Sequence, residues 1–207
     1  MDLDALADDV AARAATHEGR LVVGLVGPPG SGKSTVAKRL VERLGRREVA
    51  AVRIPMDGFH LADEALRERG LLDRKGAIET FDAHGYLALL RRVRTELDHD
   101  VLAPTFERDL EQPLAGALTV APAHRVVVTE GNYLLDELDP WPLVRASLHV
   151  VVFVELDQDR RRARLVDRHV KYGKERAQAQ AWVDDVDEPN AQRVIGRRDA
   201  ADLVLVR

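Results

Sequence analysis

The chain has 207 residues, 45% hydrophobic and 32% charged, which suits one compact α/β domain with a sizeable core. Lys plus Arg number 31 against 35 Asp plus Glu, and the formal net charge of −4 counts against a surface built for nucleic acid, so no nucleic-acid partner is expected. There is no cysteine, which excludes disulfides, thiolate nucleophiles and Cys-ligated zinc. The acidic N-terminal stretch lacks a signal-peptide pattern and the apolar runs are too short to span a bilayer, so a cytoplasmic location without a membrane partner is expected.

Residues 2–16 place Leu3, Leu6, Ala7, Val10 and Ala14 on one face and predict an amphipathic helix. Leu21–Val26 is a continuous apolar run, the pattern of a strand buried on both faces in a parallel sheet. Helical periodicity follows over 33–44, then a second strand over Val49–Ile54 that Pro55 should end. The stretch that follows reads as irregular to helical, with one clear helix near 84–98. Val126–Thr129 and Leu148–Leu156 are further buried-type strands, 158–172 is a strongly basic helix, 175–184 continues as helix, and Leu203–Val206 is a last strand. Strands alternating with helices predict an α/β fold with a central parallel sheet of about five strands flanked by helices. A single domain over 1–207 is expected, with 56–120 and 157–186 as appendages.

Gly27-Pro28-Pro29-Gly30-Ser31-Gly32-Lys33-Ser34 fits G-x-x-x-x-G-K-[ST], the P-loop pattern, between a buried strand and an amphipathic helix. The glycines let successive amides point at phosphate oxygens, and the helix N-terminus adds partial positive charge. Gly27, Gly30, Ser31, Gly32, Lys33, Ser34 and Thr35 are therefore the expected nucleotide-binding residues, with Lys33 on the β- and γ-phosphates and Ser34 on Mg²⁺. A P-loop serves GTPases, ATPases and small-molecule kinases alike. No Asn-Lys-x-Asp-like string for guanine occurs.

Together with the P-loop, Ile54-Pro55-Met56-Asp57-Gly58-Phe59-His60-Leu61 and Thr129-Glu130-Gly131-Asn132-Tyr133-Leu134 resemble the uridine kinase, phosphoribulokinase and bacterial pantothenate kinase superfamily. Within it the chain looks most like short sugar-kinase-like members linked to fructose transport, or uncharacterised nucleoside-kinase-like ones. The resemblance runs from Leu21 to Val206. It implies a P-loop kinase using ATP and Mg²⁺ on a small-molecule substrate, with 56–120 as an acceptor-binding insertion and 157–186 as an arginine-bearing lid.

Asp57 lies just past a strand's C-terminal end, where open α/β sheets bind ligands, and could accept or orient a substrate hydroxyl proton. The resemblance implies the same role; the competing reading is an Asp-Gly turn cap. Glu130 ends a central strand and could hold a Mg²⁺-bound water, or simply be solvated there; the resemblance implies a metal or substrate role. Arg161, Arg164 and Arg168 share one helical face that could close on the triphosphate, Arg164 and Arg168 being favoured as catalytic, against a solvated charged face. The resemblance places His60, Phe59, Phe81, Phe106, Arg108 and Tyr133 in acceptor-binding segments, and Asn190 and Arg197 on the adenine side. The expected activity is transfer of the γ-phosphate of ATP to a hydroxyl of a sugar, polyol or nucleoside, by a monomer or homodimer. A pantothenate-kinase-like enzyme and a non-catalytic ATP-binding regulatory module are the alternatives.

Overall fold

A computed structural model describes residues 1–207. In chain order its elements begin α1 (Leu3–Thr16), β1 (Leu21–Val26), α2 (Lys33–Gly45), β2 (Ala51–Pro55), α3 (Asp63–Glu68) and α4 (Ala83–Thr95). They continue as β3 (Val101–Glu107), β4 (Gln112–Val120), β5 (Val126–Gly131), α5 (Trp141–Ala146) and β6 (Val150–Glu155). The chain closes with α6 (Gln158–Lys171), α7 (Arg176–Trp182), α8 (Glu188–Ile195) and β7 (Leu203–Val206).

Five strands form one parallel sheet in the order β2-β5-β1-β6-β7. Because side chains alternate along a strand, Val22 and Val26 of β1 face one core and Val23 and Leu25 the other. Helices α1 and α2 cover the second face through Leu6, Val10, Val36, Leu40 and Leu44. Helices α4 and α5 cover the first through Tyr86, Leu90, Val93 and Trp141. The chain is thus an α/β protein whose parallel sheet is flanked by helices, and its strand C-termini all open at one end.

Two expectations are corrected. β2 starts at Ala51 rather than Val49, and Pro55 is its last residue, opposite Glu130; β2 is an edge strand, where a missing donor is tolerated. The region after α4 is not irregular but an antiparallel hairpin, β3 with β4. Pro104 and Gly116 hid it by breaking the alternation, and the register does slip between Ala103 and Thr105. Helix α5 was not anticipated either.

His149, just before β6, accepts the Val22 amide on Nδ1 at 2.8 Å, and its ring centroid lies 4.3 Å from that of His17. Burial, then the charges of His17 and Arg94, push its pKa down to about 4. A lowered histidine pKa contributes stability that is complete above the unfolded value, about 6.5, and is lost as pH falls toward the folded one. The urea midpoint should therefore decline between pH 6.5 and 5, above the range where most carboxylates titrate, and His149→Asn should flatten that decline.

Candidate active site

The phosphate loop is shaped by close backbone approach. Gly30 and Gly32 have φ of +80° and +89°, a region that favours glycine. A Cβ on Gly30 would fall 2.8 Å from the Arg161 carbonyl oxygen, and one on Gly27 would fall 2.6 Å from that of Val154. Gly32 caps α2 without a side chain, and the first amide to find a helical acceptor is that of Val36, to Gly32 O at 3.0 Å. The amides of Lys33, Ser34 and Thr35 are left as donors at a positive helix end, an anion site. Ser31 behaves differently from expectation: its amide already donates to Pro28 O at 3.1 Å, and its hydroxyl is buried without a partner.

Lys33 Nζ donates to Asn132 Oδ1 at 2.6 Å and to Pro28 O at 3.3 Å. Burial lowers its pKa to about 8, against the opposing pull of Glu130 and Asp57. The charged ammonium is the form that attracts phosphate, so ATP affinity should hold below pH 8 and weaken above it, by up to about tenfold per pH unit. Titrating ATP binding from pH 6.5 to 9.5 tests this; a flat profile would exclude Lys33 as the group.

Glu130, the penultimate residue of β5, is only 2% exposed and accepts Arg53 Nη1 on Oε1 at 2.9 Å. It is therefore not solvated. Burial and then the like charge of Asp57 raise its pKa, while Lys33, Arg53 and the Ser34 hydroxyl oppose them. Two hard oxygen donors, Ser34 Oγ and the Glu130 carboxylate, meet at the loop mouth, a donor set that fits Mg²⁺ held directly by Ser34 and through Glu130.

Asp57 lies in the short helical turn Met56–Phe59 that follows β2. Its Oδ2 accepts Arg108 Nη2 at 3.0 Å, across from the start of the β3–β4 turn. Burial works to raise its pKa, but His60 when protonated, and Arg108, Lys33 and Arg168 at any pH where they are charged, outweigh it and hold the carboxyl below its ordinary value. His60 Nδ1 lies 2.8 Å from Asp57 O, a carbonyl that can only accept, so Nδ1 carries the proton and Nε2 is left as an acceptor. Burial lowers the His60 pKa and favours the neutral ring. Phe81 and Phe106 flank that ring at centroid distances of 4.1 and 4.8 Å.

One cavity of about 760 Å³ joins these groups. Gly30, Gly32, Lys33, Ser34 and Thr35 line it with Asp57, Glu130, His60, Phe81, Phe106 and Arg108, and α6 adds Arg164 and Arg168. Gly27, Ser31 and Tyr133 do not reach it. Tyr133 is buried beside Phe81 and Trp141 and donates its hydroxyl to Gly76 O at 2.7 Å, so it supports the wall rather than lining it. Phe59 likewise packs on Tyr86, with ring centroids 5.2 Å apart.

The three arginines of α6 do not act as one face. Arg161 is fully buried, donates to Pro29 O at 3.3 Å and pairs with Glu188, bracing the phosphate loop against α8. Asn190 bonds Val186 O and Arg197 bonds Glu137, and neither lines the cavity. Sequence reasoning overlooked Asn132, Arg53 and Lys75, each the partner of a site group or a lining residue. Arg53 carried a legible signal, a lone cation inside an apolar strand. Arg207 was also missed; its Nη1 reaches Ser31 O and Gly32 O, both at 3.3 Å.

No helix is long and apolar enough to cross a membrane. The model of the AAA domain family AAA_18 matches residues 23–183. A Schizosaccharomyces pombe protein provisionally named a uridine kinase is 35% identical over 168 residues, spanning 76% of this chain and 69% of that protein. A pantothenate kinase of Yersinia enterocolitica is 24% identical over 159 residues, 73% of this chain and 50% of that one. The crystal structure of a protein from Silicibacter sp. TM1040, provisionally described as a fructose transport system kinase, superposes with a TM-score of 0.91 at 38% identity, covering 99% of this chain and 98% of that one. With the P-loop intact and its lysine lining the cavity, the chain belongs to the AAA_18 family and to the uridine kinase, phosphoribulokinase and pantothenate kinase superfamily of P-loop kinases.

Proposed function

We propose that the protein transfers the γ-phosphate of ATP to a hydroxyl of a small polar metabolite, with sugars, polyols and nucleosides as the favoured acceptors. The observation that carries this reading is Asp57, a half-buried carboxylate kept ionised in the same cavity as the phosphate-loop lysine. Lys33 and the amides of Lys33, Ser34 and Thr35 hold the phosphates at one end. Asp57 orients the acceptor hydroxyl and takes its proton as the oxygen attacks phosphorus in line. Neutral His60 accepts a second hydroxyl on Nε2, and the Phe81 and Phe106 rings keep water from that end. Ser34 and Glu130 would hold Mg²⁺, which when bound would supply charge neutralisation for the phosphates. Arg164 from the lid faces the loop and balances charge developing on the transferred group.

The test is acceptor-dependent ADP release across sugars, polyols, nucleosides, pantothenate and related hydroxyl compounds. A clear hit with a phosphorylated product supports the reading. Nucleotide binding with only acceptor-independent background would favour a regulatory ATP-binding module.

A further inference from the structure

Resting on that kinase reading, we propose that the acceptor carries an oxyanion, a carboxylate or a phosphate, besides the hydroxyl that is phosphorylated, and that Arg108 and Arg168 hold it. The carboxylates around this end of the cavity are mostly committed to other partners. Glu130 is held by Arg53 at 2.9 Å, Asp63 by Lys75 at 2.6 Å, and Asp187 by His169 at 2.7 Å. Glu111 stands on the exposed hairpin turn. Asp57 has one side-chain partner, Arg108 on Oδ2, which leaves Oδ1 for the acceptor hydroxyl while the guanidinium keeps the carboxylate a weaker base.

Arg168 is the second cation. It lines the cavity, and no hydrogen bond supports its guanidinium; burial and then the like charge of Arg108 disfavour its charged form. Arg164 and Arg168 differ in their neighbours. Arg164 Nη1 lies 3.7 Å from the Cβ position of Gly32 and stays with the phosphate loop. The charges acting on Arg168 are those of Arg108, Asp187, Asp57 and Glu111, and Arg168 in turn acts on Lys33, so it faces both the phosphate loop and the Asp57–Arg108 pair. Two guanidinium groups facing one cavity repel each other, and an anion between them offsets that repulsion. A carboxylate or phosphate suits the planar fork of a guanidinium, and Phe106 already supports Arg108 with its ring centroid 5.6 Å away. An acceptor oxyanion that draws Arg108 to itself also releases Asp57 toward the hydroxyl, so binding of the charged group prepares the base.

Two measurements test this. With the phosphate loop saturated by Mg²⁺ and β,γ-imido-ATP, inorganic phosphate should raise the Tm of the wild-type protein. Arg108→Gln and Arg168→Gln should each abolish that rise. In turnover, each polyol is compared with its own carboxylate and its own monophosphate. The charged members should show the higher kcat/KM, and the better of the two identifies the oxyanion. Arg108→Gln should raise KM for the charged acceptor about 10–100-fold, the span of one charge-assisted hydrogen bond, without raising KM for ATP. Neutral acceptors used as well as charged ones, or a phosphate-induced Tm rise that survives both substitutions, would overturn the proposal and leave the kinase reading intact. Phosphate binding that depends on both arginines, with no acceptor of any kind phosphorylated, would support the anion site and overturn the kinase reading instead.

Discussion

Asp57→Asn is expected to lower kcat by about 10²–10⁴-fold, the range for loss of a general base, while ATP affinity changes little. The substitution keeps the shape of the side chain and one acceptor oxygen for Arg108, so the wall of the cavity should survive. What it removes is the charge that accepts the proton and draws the acceptor hydroxyl toward the γ-phosphorus. The loss should fall on kcat rather than on the ATP KM, because Asp57 sits at the end of β2 while the phosphates are held by the loop after β1. Steady-state kinetics on the acceptor found in the screen, with Tm as a check on folding, decides the matter. An Asp57→Asn enzyme within threefold of wild-type kcat would end its assignment as base.

Lys33→Met should lower kcat by about 10²–10³-fold, the cost of removing one preorganised charge at the transition state, and should weaken ATP binding as well. The expectation differs from that for Asp57 because the ammonium meets phosphate in both ground and transition states. Methionine retains the apolar stem, and burying it in place of an ammonium relieves a desolvation penalty that already lowers the Lys33 pKa. The variant should therefore be no less stable than the wild type while being nearly inactive. Isothermal titration with ATP, read beside turnover and Tm, separates these effects. Full activity in the variant would mean that the phosphate contacts come from the loop amides alone.

The phosphate loop was legible because its chemistry is contiguous. A buried strand, spaced glycines, a lysine and a helix follow one another within Leu21–Gly45, and the close approaches at Gly27 and Gly30 are what glycine at those positions implies. The parallel sheet was legible for a similar reason, since strands buried on both faces appear as unbroken apolar runs. Asp57 and Glu130 could be placed at strand ends from those same runs. The hairpin was not legible, because its alternation is interrupted by Pro104 and Gly116 and its outer face is largely exposed.

Other features depended on contacts between distant parts of the chain. Helical spacing grouped Arg161, Arg164 and Arg168, but packing of α6 against the loop and α8 buried the first and left the other two at the cavity. Tyr133 looked like an acceptor residue by its segment, yet its hydroxyl turned to Gly76.

The sequence by itself thus determined the glycine-shaped P-loop and the kind of sheet that carries it. Only the tertiary structure decided how Asp57, Arg108 and Arg168, each singled out in the sequence, meet Lys75 in one cavity, arriving from the turn after β2, the hairpin, α6 and a connecting loop. Phosphate binding needs a local backbone shape, which a short run of residues can encode. Acceptor recognition needs charges balanced across a cavity, and that balance exists only after elements far apart in the chain have packed together.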